Sequence, residues 1–219
     1  MLERVTETRR FGMVAAWLHW LIAGLIFLNL AFGFVMEDLE PPVKLFVIQL
    51  HISSGITILA LTVFRVVWRL LHKPPEYGFE LSPTEERAAR VAHFLLYCAM
   101  VSMPLTGWAL VSAHPAPGTS GYLAQHEEAR KSGTIPLPGV EVIRIWWLAP
   151  LPAVGPVQRV GNDPGGLAAQ DRLHDEFVGY HALGAYFLIA LLFLHIAGAI
   201  KHQYFDRIPF LARMSLKRR

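Results

Sequence analysis

Apolar residues along the chain gather into four long blocks, separated by charged or Pro/Gly-rich stretches. The blocks run from about Val14 to Phe34, Phe46 to Leu71, Val91 to Ser112 and Gly179 to Ile200. Each reaches the roughly 20 residues that a helix needs to cross a hydrocarbon core. Leu, Ile, Phe, Val and Ala run continuously through the blocks, without the short alternating units of a membrane β-barrel. The pattern predicts an all-α integral membrane protein: a four-transmembrane-helix bundle in a single domain over 1–219. An extended outer loop at about 113–178 separates the third and fourth helices.

Composition agrees, with 53% hydrophobic against 17% charged residues. The single cysteine, Cys98, lies inside the third block, so there is no disulfide framework and no reading of redox compartment. The first block carries histidine and tryptophan, has no small-residue cleavage pattern and is too long for a signal peptide. It is expected to be retained. The formal net charge of +3 comes from basic residues beside the block ends. Membrane topology accounts for those residues, and nucleic acid is not an expected partner; membrane lipid is.

The flanks give the orientation. Arg4, Arg9 and Arg10 precede the first block, and Arg65, Arg69, Lys73, Arg87 and Arg90 surround the second connection. Lys201, Arg207, Arg213, Lys217, Arg218 and Arg219 follow the fourth, whereas the first connection has Glu37, Asp38 and Glu40 against Lys44. Both termini are therefore expected in the cytoplasm, and the 37–45 and 113–178 loops outside, in a multi-pass protein of a bacterial inner membrane. Within the long loop, His114 to Gly121 should be irregular and Tyr122 to Lys131 a short helix. The amphipathic run Val140 to Trp147 suits the interface, with Trp146 and Trp147 as anchors. A small lid on the outer helix ends is the expected arrangement, and a docking site for a partner the alternative.

Four of the ten histidines form a coordinate system. His19 lies near the cytoplasmic end of the first block and His51 near the outer end of the second. His181 and His195 sit toward the outer and cytoplasmic ends of the fourth. These two are 14 residues apart, close to four turns and about 21 Å, so both rings project from nearly one face. His51 matches His181 in depth and His19 matches His195, which places two sites one above the other. Opposed neutral imidazoles in a helical core suit a six-coordinate, low-spin haem iron. Structural zinc would want four ligands, and a proton relay would want carboxylates inside the spans, which hold none. Helix packing is the competing reading of each histidine taken singly.

Arg65 follows His51 by 14 residues and returns to the same face at the inner level, with Arg69 one turn beyond. Both suit a haem propionate, or else lipid phosphate as cytoplasmic anchors. His93 suits a propionate or a quinone pocket, or is interfacial. His174, seven residues before His181, is the rival outer ligand or a propionate contact, and His202 a cytoplasmic-surface or propionate contact. His72, His114 and His126 are expected to face solvent.

The segments Trp17-Leu18-His19-Trp20, His51-Ile52-Ser53-Ser54-Gly55 and Arg65 to Leu70 begin a recognisable series. Ala92 to Tyr97, Met103-Pro104-Leu105-Thr106-Gly107, His181 to His195, Gly198 to Phe205 and Leu211 to Met214 continue it in order. The chain resembles the prokaryotic cytochrome b561 family of di-haem membrane cytochromes. The resemblance implies two b-type haems, with iron ligands at His19, His51, His181 and His195. It also implies electron transfer between the membrane quinone pool and a donor or acceptor at the outer face. Superoxide oxidation coupled to reduction of ubiquinone is one such activity, and service to a separate periplasmic redox protein another. The long third connection departs from the compact form of the family. A non-redox scaffold or metal transporter is the remaining alternative.

Overall fold

The computed structural model describes residues 10–40, 42–73, 75, 82–133 and 143–216. Arg4, Arg9, Lys217, Arg218 and Arg219 among the flanking charges, and Val140 to Val142 of the amphipathic run, lie outside the described residues. In chain order the elements begin with α1 (Met13–Val35), α2 (Val43–Leu71) and α3 (Pro83–Ser112). They continue with α4 (Ser120–Ser132), β1 (Arg144–Ile145), β2 (Ala149–Pro150), α5 (Gly155–Gln158) and α6 (Leu167–Ile200). A π-helical turn, Lys201–Phe205, and a 3-10 turn, Leu211–Met214, follow.

The fold is all-α apart from the two-residue ribbon, and α1, α2, α3 and α6 are each long and apolar enough to cross a membrane. Apolar side chains cover their outside as well as their interior, where Leu18, Ile22 and Ile58 are buried. Phe27, Phe64, Phe94, Leu183, Phe193 and Leu194 are exposed, while Ser53, Ser54 and Thr62 are fully buried. Hydrocarbon makes an outward apolar side chain favourable and requires inward polar groups to find protein partners. Ser54 meets that demand by donating to the Leu50 carbonyl at 2.7 Å, whereas Thr62 Oγ1 does not meet it among the described residues.

Two helices start eight or more residues before their apolar blocks. Helix α3 starts at Pro83 rather than near Val91, because Ser82 and Glu85 form a capping box. The Glu85 N–H donates to Ser82 Oγ at 3.3 Å and the Ser82 N–H to Glu85 Oε2 at 3.1 Å. Pro83 supplies the first helical position, where a missing N–H costs nothing. Helix α6 starts at Leu167 rather than Gly179, so the fourth helix takes in residues assigned from sequence to the long loop. Buried Gln170 pins this extension, donating through Nε2 to the carbonyls of Val157 at 3.3 Å and Gln158 at 3.2 Å. Hydropathy marks where a helix leaves the hydrocarbon, whereas hydrogen bonding decides where it ends.

The chain divides into two compact units. The His19 unit comprises Met1–Phe27, Ile58–Val101 and Tyr186–Arg219. In it the C-terminal tail is tied back to the N-terminal residues. The Phe11 N–H donates to the Arg213 carbonyl at 3.0 Å, and Trp20 Nε1 donates to the Met214 carbonyl at 2.8 Å. The buried Arg213 guanidinium lies 5.4 Å from the Phe11 ring centroid.

The His51 unit comprises Leu28–Thr57 and Ser102–Ala185. Here α4, expected at Tyr122 to Lys131, is capped by Thr119, whose hydroxyl accepts from the Tyr122 N–H at 3.3 Å. The described part of the amphipathic run is a hairpin, in which Arg144 pairs with Pro150 and Ile145 with Ala149. Its turn puts Trp146 and Trp147 at φ 49° and 61°, a left-handed conformation that bulky side chains rarely adopt. Docking on α2 holds it. The Trp146 N–H donates to Ser53 Oγ at 3.0 Å, Trp146 Nε1 to Thr57 Oγ1 at 2.9 Å, and Gln49 to the Arg144 carbonyl. Trp147 stacks on Phe46 at 5.4 Å. The lid expected over the outer helix ends is thus a hairpin seated on α2, with Ile143 and Leu151 packed against Ile52, Ile56 and Trp108.

Candidate functional site

In the His51 unit, α2 carries His51 and α6 carries His181, with ring centroids 6.0 Å apart and planes at 77°. In the His19 unit, α1 carries His19 and α6 carries His195, with centroids 6.2 Å apart and planes at 71°. Two imidazoles bonded from opposite sides to one metal at about 2.0–2.1 Å place their ring centroids roughly 6 Å apart. Both pairs have that separation, and these are the pairings expected from depth and phase.

Hydrogen bonds fix the tautomers in the His51 unit. His51 Nδ1 lies 3.0 Å from the Asn29 carbonyl oxygen, which can only accept, so the proton is on Nδ1. Asn29 Nδ2 donates in turn to the His51 carbonyl at 2.6 Å and to Ser54 Oγ at 2.7 Å, fastening α1 to α2. His181 Nδ1 lies 3.0 Å from Thr106 Oγ1 on α3. Each of these rings is left with Nε2 as the nitrogen that can bind a ligand.

Two glycines make room for the rings. A Cβ on Gly33 would stand 3.2 Å from His51 Cε1, and one on Gly107 would stand 3.0 Å from His181 Cε1. Either approach is tighter than ordinary packing permits, so both imidazoles rest on bare helix backbone. Gly33 and Asn29 were not among the residues singled out from sequence, and Thr106 and Gly107 stood there only within a motif, with no role of their own. A lone small or polar residue in an apolar span reads as packing until its neighbour is known.

The His19 unit holds a third imidazole. The ring of His93, on α3, lies 5.1 Å from that of His195, and its Nδ1 donates to the Ala89 carbonyl at 2.6 Å. Arg65 is half-buried between helices, donating from Nε to Tyr97 Oη at 3.1 Å and from Nη1 to the Ala15 carbonyl at 3.1 Å. Arg69 is exposed one turn further along α2.

The remaining histidines lie apart from the two pairs. The ring facing His51 belongs to His181, whereas that of His174 packs 5.3 Å from His114 and its Nδ1 approaches Asp175 at 3.5 Å. His114, expected in solvent, is half-buried in this contact. His72 is exposed and stacks on Trp68 with centroids 3.9 Å apart; His126 is exposed on α4. His202 Nδ1 bonds Asp206 Oδ2 at 2.7 Å, in a cluster where Lys201 Nζ lies 2.7 Å from both Glu85 Oε1 and Asp206 Oδ2. Glu85, His202 and Asp206 could together hold a metal ion, but the ammonium of Lys201 already supplies their positive charge. Hydrogen bonding from Lys201, foremost, draws the Asp206 carboxyl below its usual range.

A family model described as prokaryotic cytochrome b561 matches residues 10–216. The chain belongs to that family. It is 31% identical over 116 residues to Cytochrome b561 homolog 2 of Escherichia coli (strain K12), covering 49% of this chain and 58% of that protein. It is 25% identical over 107 residues to a protein of Yersinia pestis named Probable superoxide oxidase CybB, covering 47% and 58% respectively. Cytochrome b562 of Cereibacter sphaeroides is 32% identical over 112 residues, covering 48% and 70%. The chain thus spans a little over half the length of the first two relatives. Membership in the cytochrome b561 family supports a role as a membrane electron-transfer cytochrome.

Proposed function

We propose that the chain moves electrons across a membrane through two b-type haems, one between His51 and His181 and the other between His19 and His195. The observation that carries this reading is the pair of centroid separations, 6.0 and 6.2 Å, each suited to two nitrogens on opposite sides of one iron. The donor set fits in further respects. His51 and His181 each offer Nε2, and Gly33 and Gly107 leave the ring edges room. When bound, such a haem supplies one-electron chemistry without an open coordination site, which favours outer-sphere transfer.

The protein's own residues orient and insulate. Asn29 and Thr106 hold two of the imidazoles, the apolar helix faces exclude water, and Arg65 or Arg69 offers a cation for a propionate. His93, beside His195, would exchange a proton with a quinone at the inner site through Nε2. Electrons would pass between an outer-face partner and the quinone pool, with both termini cytoplasmic. His174 and His202 would serve these sites as propionate or surface contacts.

Similarity to the protein named Probable superoxide oxidase CybB favours superoxide as the outer donor, and ubiquinone is the acceptor proposed with it. The structured segment over α4 and the hairpin favours a second reading, in which a separate periplasmic redox protein docks there. A reduced-minus-oxidised spectrum with haem quantified per chain tests the core proposal, and two low-spin b haems are expected. A haem-free chain would return the histidines to packing. Superoxide-driven haem reduction in the isolated protein, followed by quinone reduction, separates the first donor from the second.

A further inference from the structure

Met103, Pro104, Leu105, Thr106 and Gly107 form one turn of α3 that meets the imidazole of His181. The Thr106 hydroxyl has one hydrogen. It points to the Met103 carbonyl 2.9 Å away, so toward His181 Nδ1, at 3.0 Å, the oxygen is an acceptor. The proton between Thr106 and His181 therefore belongs to the imidazole. Gly107 completes the seat, since a Cβ there would press on Cε1 of the same ring at 3.0 Å.

His51 is held by the same logic but with a different kind of partner, because its Nδ1–H goes to the backbone carbonyl of Asn29. No side-chain substitution removes a carbonyl. On the His181 side a side-chain hydroxyl, polarised by donating to Met103, accepts at 3.0 Å beside the Met103 carbonyl, which also hydrogen-bonds this imidazole. A hydrogen bond at Nδ1–H raises the electron-donating power of Nε2, and the potential of a ligated iron follows that power.

We propose that Thr106 is a positioning residue which fixes His181 in its Nδ1–H tautomer and sets the reduction potential of the haem in the His51–His181 pair. This rests on the reading that the pair holds a haem. Removing the acceptor weakens donation to ferric iron more than to ferrous iron, so the potential of that haem rises. The haem of the His19–His195 pair is an internal reference.

The test uses the full-length protein purified with its haem, in wild-type, Thr106→Val and Thr106→Ser forms. Potentiometric titrations followed by absorbance, and the paramagnetic resonance of the ferric low-spin centres, are compared. In the Val form one potential should move positive and one ferric signal change, with the other haem unmoved. The Ser form, which keeps the acceptor, should stay near wild type. Loss of one haem in the Val form with retention in the Ser form would likewise support positioning. Wild-type potentials and signals in the Val form, equal shifts of both haems, or loss in both variants would overturn the assignment to Thr106. A wild-type chain without two haems would instead overturn the proposed function.

Discussion

The imidazole of His93 stands edge-on to that of His195, centroids 5.1 Å apart and planes at 82°. Helix α3, which provides neither member of a pair, thereby places a titratable group beside a proposed ligand. With its Nδ1–H engaged by Ala89, the ring nitrogen of His93 left for another partner is Nε2. His93→Gln should retain two haems per chain and slow quinone reduction by about 10²-fold, the usual contribution of a positioned acid or base. Haem quantification alongside single-turnover quinone reduction checks it. Haem loss would make His93 a structural support, and an unchanged rate would remove it from the quinone reaction.

The pairing of rings makes a prediction about stoichiometry. His51→Ala or His181→Ala should abolish one ferric low-spin signal, and His19→Ala or His195→Ala the other. His174→Ala should abolish neither, because its ring contacts His114 and Asp175. Haem extraction and resonance spectra of the five variants provide the measurement. Loss of a signal in His174→Ala alone would reassign the ligand.

Arg65 joins three helices through Tyr97 and the Ala15 carbonyl. Arg65→Leu leaves that carbonyl and phenol without their donor, at a cost of about 1–3 kcal/mol for a buried polar group. The thermal midpoint in detergent should fall, and Arg65→Lys should not restore it, since an ammonium lacks the planar fork that reaches both partners. An unchanged midpoint in the Leu variant would mean that these bonds contribute nothing net.

The cluster at the C-terminal end of α6 should respond to acid. The Asp206 carboxyl is held below its ordinary value of 3.8, chiefly by hydrogen bonding from Lys201. A carboxyl with a depressed folded-state pKa stabilises fully above its unfolded value and loses that contribution as pH falls through the folded value. Protection of the 201–206 amides from hydrogen exchange should therefore hold at neutral pH and decline as pH drops below about 4. Asp206→Asn should lower protection at neutral pH and flatten this dependence. An identical profile in the Asn form would assign the acid response elsewhere.

Much of this architecture is legible in sequence, for physical reasons that can be assigned residue by residue. A hydrocarbon slab imposes a length on apolar runs, which marks α1, α2, α3 and α6, and a 14-residue interval picks out His181 and His195. The start of α3 was equally present, in Ser82-Pro83-Thr84-Glu85, but a capping box extends beyond any apolar window. The roles of Thr106, although it stands in a quoted motif, and of Asn29 are not legible because each depends on another helix. His114 and His174 lie 60 positions apart, so neither announces the other. The hairpin within the expected lid is not legible as such, because positive φ at consecutive tryptophans runs against intrinsic preference, and α2 supplies the compensation.

Helix α6 is unbroken from Leu167 to Ile200 and carries one histidine of each pair. It therefore acts as a ruler whose divisions are helical turns. A residue inserted between His181 and His195 would swing one ring about 100° around the axis of α6 relative to the other. Within α6, therefore, the count of residues between the two histidines sets the direction of one ring relative to the other.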